Sequence, residues 1–212
     1  MATRPITMEE HARVTAAIRA AEAKTDGEIY CVVARASDGY FFPAAFAALV
    51  AMLAVSLAVA CGLEYWWLSI RLPHFVLAEM LAGACMLALL WLLPALRIHL
   101  VPRRLRYRAA HDNAMRQFLA RNVHVTAART GVLIFVSLAE RYAVVLADSG
   151  IDARVGQQVW DDVVRNLTAQ AAGDRLAEGF VEAVGAVGAV LAAHFPVTPG
   201  DVNELDDHLV EI

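Results

Sequence analysis

The pattern of apolar and polar positions divides the chain into two unlike kinds of segment. Residues 43–96 read PAAFAALVAMLAVSLAVACGL, then EYWWLSIRLPH, then FVLAEMLAGACMLALLWLLPAL. Each flanking stretch is apolar over the roughly 20 residues that an α-helix needs to cross the hydrocarbon core of a bilayer. No water is available there to pair backbone groups, so helices are the economical way across. The first stretch carries no charge between Pro43 and Leu63, and the second carries one, Glu79. A soluble core helix of that length would show a polar face. The pattern therefore predicts a transmembrane helical hairpin over 43–98, with spans at about 43–63 and 75–96.

The other segments have the periods of a soluble domain. Thr7-Met8-Glu9-Glu10 has the form of a capping box. It predicts a helix from there to about residue 24, with Val14, Ile18 and Ala21 on one face and Asp26-Gly27 as its stop. Residues 28–34 (EIYCVVA) form a nearly continuous β-prone run, as expected of a strand covered on both faces. After the hairpin, 107–121 reads as an amphipathic helix ending near Asn122. Residues 131–138 and 142–148 are two strands so closely joined that they must pair antiparallel. Residues 152–171 repeat apolar positions at spacings of three and four, predicting a helix. A last helix over 176–194 is strongly apolar, but Asp174, Arg175, Glu178 and Glu182 leave too short a clean run for a span. It reads as a core helix whose glycines, Gly179, Gly185 and Gly188, imply close packing. The tail 197–212 is acidic (Asp201, Glu204, Asp206, Asp207, Glu211) and is expected to be mobile.

One strand precedes the hairpin and two follow it, and a lone strand cannot stand as a domain. Segments 1–42 and 99–196 should therefore combine into one α/β unit, into which the hairpin is inserted. Composition agrees with this division. The chain has 212 residues and is 59% hydrophobic, with a mean hydropathy of +0.51. Removing the hairpin leaves one ordinary domain. The net charge of -4 argues against nucleic acid as a partner. Basic residues flank the hairpin: Arg4, Arg13, Arg19, Lys24 and Arg35 before it, and Arg97, Arg103, Arg104, Arg106 and Arg108 after it. The connecting loop holds Arg71 opposite Glu64. The positive-inside rule then places both termini in the cytoplasm, in a bacterial-type inner membrane. Tyr65, Trp66, Trp67 and Trp91 suit the interfacial belts. The opening MATRPITMEEHARV has no apolar h-region, so the first span is expected to be the insertion signal. Cys31, Cys61 and Cys85 show no metal-ligand spacing and read as buried, inert thiols.

Three blocks resemble the TPM domain family, which includes thylakoid-lumen phosphatase-like and photosystem II repair protein-like members. They are Thr25-Asp26-Gly27-Glu28-Ile29, the run TGVLIFVSLAER at 130–141, and VLADSGI at 145–151. Trp160-Asp161-Asp162-Val163-Val164 and Gly179-Phe180-Val181-Glu182-Ala183-Val184 follow in that family's order. The resemblance spans about 5–40 and 105–196. It implies a small mixed sheet in an α/β/α sandwich, here interrupted by the hairpin. For some members it implies weak acid phosphatase activity, metal binding, or a role in assembling and repairing membrane complexes.

Candidate chemistry lies at the strand ends. Asp38 and Asp148 each follow a strand, and Asp152 precedes a helix; ligands of open α/β sheets gather at the carboxyl ends of strands. Such oxygen ligands suit Ca²⁺ or Mg²⁺, and a metal there could polarise a phosphoryl oxygen. The same acids have plain structural roles, Asp152 as a helix N-cap and Asp38 beside Gly39 as a turn residue. Glu140 and Arg141 are either a binding pair or solvated charges at a hairpin tip. Glu79 is either an intramembrane functional group or a carboxylate reaching water or Arg71. The seven histidines are scattered, and Ser137 and Ser149 show no partnering base. The small residues Ala78, Ala82, Gly83 and Ala84 would permit close helix packing, hence a homo-oligomer.

The first expectation is a membrane-anchored cytoplasmic TPM-like module that meets the lipid bilayer and another membrane protein, for interaction or for assembly and quality control. The alternative is a weak metal-dependent phosphatase using Asp38, Asp148 and Asp152. A third, an oligomeric conduit, rests on Glu79.

Overall fold

The computed structural model describes residues 6–68, 70–126, 129–152, 154–198, 205 and 207–212, the side chain of Asp152 excepted. Met1–Ser37 together with Tyr107–Ile212 form one compact unit, and Asp38–Arg106 form a second.

In the first unit, α1 (Met8–Glu22) begins at a complete capping box. The Thr7 amide donates to Glu10 Oε2 (2.8 Å), and the Glu10 amide donates to Thr7 Oγ1 (3.2 Å). Strand β1 (Glu28–Ala34) follows, buried along its whole length. On the far side of the inserted segment, β2 (Gly131–Ser137) pairs with β1 in parallel, from Glu28↔Gly131 to Ala34↔Ser137. β3 (Tyr142–Ala147) turns back antiparallel on β2.

Two stretches depart from the sequence expectation. The acidic tail is not simply a loose end: Leu209–Glu211 form β4, parallel to β1, and complete a sheet of order β3-β2-β1-β4. Asp152 is no N-cap either. It closes a separate turn of helix, Ser149–Asp152, whose Ile151 is buried, and the following helix Gln157–Ala172 starts after Gly156.

The sheet is covered on both faces, which is why β1 and β2 show no polar alternation. Ile29, Cys31 and Val33 of β1, with Val132, Ile134 and Val136 of β2, pack on α1, on the helix Gln157–Ala172 and on the helix Leu176–His194. The alternate residues Tyr30, Val32, Leu133 and Phe135 pack on Ala114 and Phe118 of the helix Arg103–Ala120. Each such side chain fully buried contributes roughly 1.5–3 kcal/mol. The result is a mixed α/β fold around a small four-stranded sheet.

Numbered in chain order, the remaining helices are α2 (Phe41–Tyr65), α3 (Leu72–Leu92), α4 (Pro94–Leu100), α5 (Arg103–Ala120), α6 (Ser149–Asp152), α7 (Gln157–Ala172) and α8 (Leu176–His194). The glycines of α8 behave unequally. A Cβ at Gly188 would lie 2.6 Å from Ala21 Cβ of α1, and one at Gly179 would lie 3.0 Å from Leu167 Cδ1 of α7. One at Gly185 would meet nothing within 4 Å.

In the second unit, α2 and α3 form an apolar pair. α3 stops at Leu92, short of the expected 96, because Pro94 has no amide to continue the ladder. Arg97 takes over the released carbonyls, its Nε donating to Leu90 O (2.7 Å) and its Nη2 to Trp91 O (3.0 Å). By length and composition α2, α3 and α8 could each cross a membrane. The apolar stretches of α2 and α3 are 6% buried, whereas that of α8 is 50% buried.

Candidate functional site

Among the described residues, most buried polar groups of the first unit lie toward the two opposite ends of its sheet. At the end reached by β1 and β2 together, Glu140 is 2% exposed, in the tight connection between β2 and β3. It is a buried acceptor, not a solvated charge at a hairpin tip. Its Oε1 accepts from the Ser37 amide at 2.9 Å, and its Oε2 accepts from Ser137 Oγ. The Ser37 and Ser137 hydroxyls lie 2.9 Å apart. The Leu138 amide donates to Ala34 O and the Ala139 amide to Arg35 O, extending the parallel pairing past Ser137. Glu140 thus ties the last residue of the first unit's opening segment to the β2–β3 turn. Its neighbour Arg141 is exposed and takes the left-handed conformation (φ 53°) that the tight turn needs.

β3 runs antiparallel, so its carboxyl end lies at the opposite edge of the sheet, beside the start of β2. There the Asp148 amide donates to Gly131 O (2.9 Å). Asp148 is 7% exposed. Its Oδ1 accepts from the Ser149 amide (2.6 Å) and hydroxyl (3.1 Å), while Oδ2 is buried without a hydrogen-bond partner among the described residues. Asp38 belongs to the second unit and follows β1, which leaves the sheet from the Glu140 end. Asp152 is the last residue of α6, and its side chain lies outside the described residues. Glu79 is half-buried in α3. Among the described residues no group of three or more His, Cys, Asp or Glu side chains could hold a metal ion.

Sequence reasoning passed over a second acidic group near the start of β1. Glu22 Oε1 accepts from the Ile29 amide (2.9 Å). Burial, reinforced by the nearby carboxylates of Glu28 and Asp207, pushes the Glu22 carboxyl up to about 8. Asp207 pairs with Arg19 Nε at 3.0 Å, and Glu211 lies 3.0 Å from His11 Nε2. Asp26 receives the Thr198 amide (2.6 Å) and hydroxyl (2.8 Å). The available signal was the acid content of the tail beside the basic residues of α1, but nothing local said that they would meet. Of the cysteines, Cys31 is fully buried, and burial, with Glu22 nearby, drives its thiol far above the ordinary range. Cys61 and Cys85 are exposed on α2 and α3.

Compared with known proteins, residues 94–190 match the family model of the TPM domain. Among solved structures, the chain is similar to the NMR structure of the BA42 protein from the psychrophilic bacterium Bizionia argentinensis. The two are 20% identical with a TM-score of 0.61, over 100% of this chain and 98% of that one. At that identity the likeness speaks for the fold alone. No curated protein matches the sequence.

Proposed function

With a TPM domain at residues 94–190 as the premise, we propose that this protein is a membrane-anchored interaction module. In this reading α2 and α3 cross the bilayer, and the soluble unit engages another membrane protein during its assembly or quality control. The observation that carries it is the contrast in burial. α2 and α3 have mean hydropathies of 2.5 and 2.1 over their most apolar stretches, yet are 6% buried. Exposed apolar surface of that extent is stable in lipid and not in water. The arginines on either side of the pair support, by the positive-inside rule, a cytoplasmic side for both termini. Tyr65, Trp66 and Trp67 are all exposed, as aromatics of an interfacial belt would be.

Photo-crosslinking in intact membranes tests the reading, with the reactive group placed at exposed positions of the soluble unit such as Arg141 or Arg165. Recovery of one membrane protein in discrete crosslinked bands is the expected result. Labelling of Arg71→Cys by an impermeant maleimide in sealed cells, with Cys61 and Cys85 replaced by Ser, checks the orientation. Crosslinks to lipid alone, or a protein released by alkaline carbonate, would sink the proposal.

A further inference from the structure

The outer edge of β1 is filled by a very short strand. β4 pairs through Cys31↔Leu209, Val32↔Val210 and Val33↔Glu211, and strands usually run longer. The Ile212 amide donates to Val33 O (2.9 Å), and the Arg35 amide donates to Ile212 O (2.8 Å). Leu209 is 2% exposed and joins the core cluster of Ile29, Cys31 and Val33. Two polar contacts bracket it: Asp207 Oδ2 with Arg19 Nε and Glu211 Oε1 with His11 Nε2, both at 3.0 Å. Arg19 and His11 both stand on α1, and each acid lies two residues from Leu209.

Together these contacts read an extended chain in the manner of strand addition: main-chain bonds hold it, and alternate side chains select it. One apolar pocket takes a leucine, and Arg19 and His11 take the acids on either side. We infer that the edge of β1 beside α1 is a strand-accepting groove for an acidic segment of a partner protein, of pattern acid–x–Leu–x–acid. The chain's own Asp207-His208-Leu209-Val210-Glu211 fills it in the absence of that partner. Charge complementarity at Arg19 and the ring nitrogen of His11 together favour such a segment, since the two are spaced for acids four residues apart. An open sheet edge would also invite indiscriminate pairing, and an exchangeable internal strand protects it. The inference rests on the interaction-module reading for its partner, but the groove itself is measured without partner or membrane.

The experiment uses the full-length chain in detergent and a fluorescent peptide LDDHLVEI, the sequence of residues 205–212. Leu209→Asp in the chain should eject its own strand, so the variant should bind the peptide about tenfold or more tightly than the wild type does. Adding Arg19→Glu should reverse that gain. A folded Leu209→Asp variant that ignores the peptide at about 1 mM would overturn the groove. So would a concentration-dependent dimer that excludes the peptide, because a second copy would then be the occupant. If the variant does not fold, hydrogen exchange on the wild type decides. The Arg35 amide should exchange about a hundredfold or more faster than the Leu138 amide, which bonds to β1 on the other side. Equal rates would make β4 an integral strand and end the proposal.

Discussion

α8 and α2 both pass for bilayer spans by length and composition, yet only α2 lacks a protein environment. α8 lays Phe180, Val184, Val187 and Leu191 against the sheet, with α1 and α7 on its flanks. α2 exposes Phe46, Leu53, Val55 and Leu57. The difference traces to small details of sequence. α8 carries Glu178 and Glu182, and its glycines let two neighbouring helices approach. α2 has no charge before Glu64. Mean hydropathy therefore says how apolar a helix is but not what solvates it; the pattern of its few polar and small residues decides that.

The sharpest way to break the comparison is the same kind of substitution on each helix. Val184→Asp, at a position with no exposure, should cost the first unit more than about 3 kcal/mol and abolish its cooperative melt. Leu53→Asp should leave that melt within about 0.5 kcal/mol. It should instead penalise membrane insertion by about 2.5–3.5 kcal/mol, read as carbonate-extractable protein. If Leu53→Asp melts the domain, α2 is core and the contrast is wrong.

Glu140→Ala comes next. It leaves the Ser37 amide and the Ser137 hydroxyl without their acceptor, which should cost about 3 kcal/mol in a denaturant titration. A loss within error would return Glu140 to the role of a surface charge.

Within α8 itself, the glycines predict opposite signs. Gly188→Ala should destabilise by about 1–3 kcal/mol, because its Cβ would meet Ala21 at 2.6 Å. Gly185→Ala, with open space around it, should stabilise by about 0.5–1 kcal/mol. Equal effects would mean that α1 and α8 do not touch there.

A pH dependence comes last. In the folded chain Glu22 keeps its proton up to about 8, against an ordinary 4.5. Between those values the unfolded chain has released a proton that the folded chain still holds. Stability should therefore fall as pH rises through the window. Glu22→Gln should flatten that slope, as measured by melting at a series of pH values; an unchanged slope would assign it to other groups.

Much of the fold was legible because local pattern and tertiary role coincide. β1 and β2 announce themselves as unbroken apolar runs, since helices cover both of their faces. The capping box at Thr7 and Glu10 is closed within three residues. β4 was not legible: three residues in an acidic stretch have no period to detect, and their partner strand lies far away in the sequence. Asp38 and Asp148 both follow strands, but which edge of a sheet a strand's end occupies depends on its direction in the sheet. For Glu140 the sequence left a binding role and a solvated charge both open, because its acceptor role depends on Ser37, 103 residues away.

By itself the sequence determined the apolar pair, the order of helices and strands, and the covered faces of the two central strands. Those properties follow from hydropathy and spacing, which are local. Only the tertiary structure decided that Glu140 is an internal acceptor and that the acidic tail supplies an edge strand. Each of these depends on which distant groups arrive alongside, and burial and electrostatic pairing are properties of that neighbourhood, not of the residue.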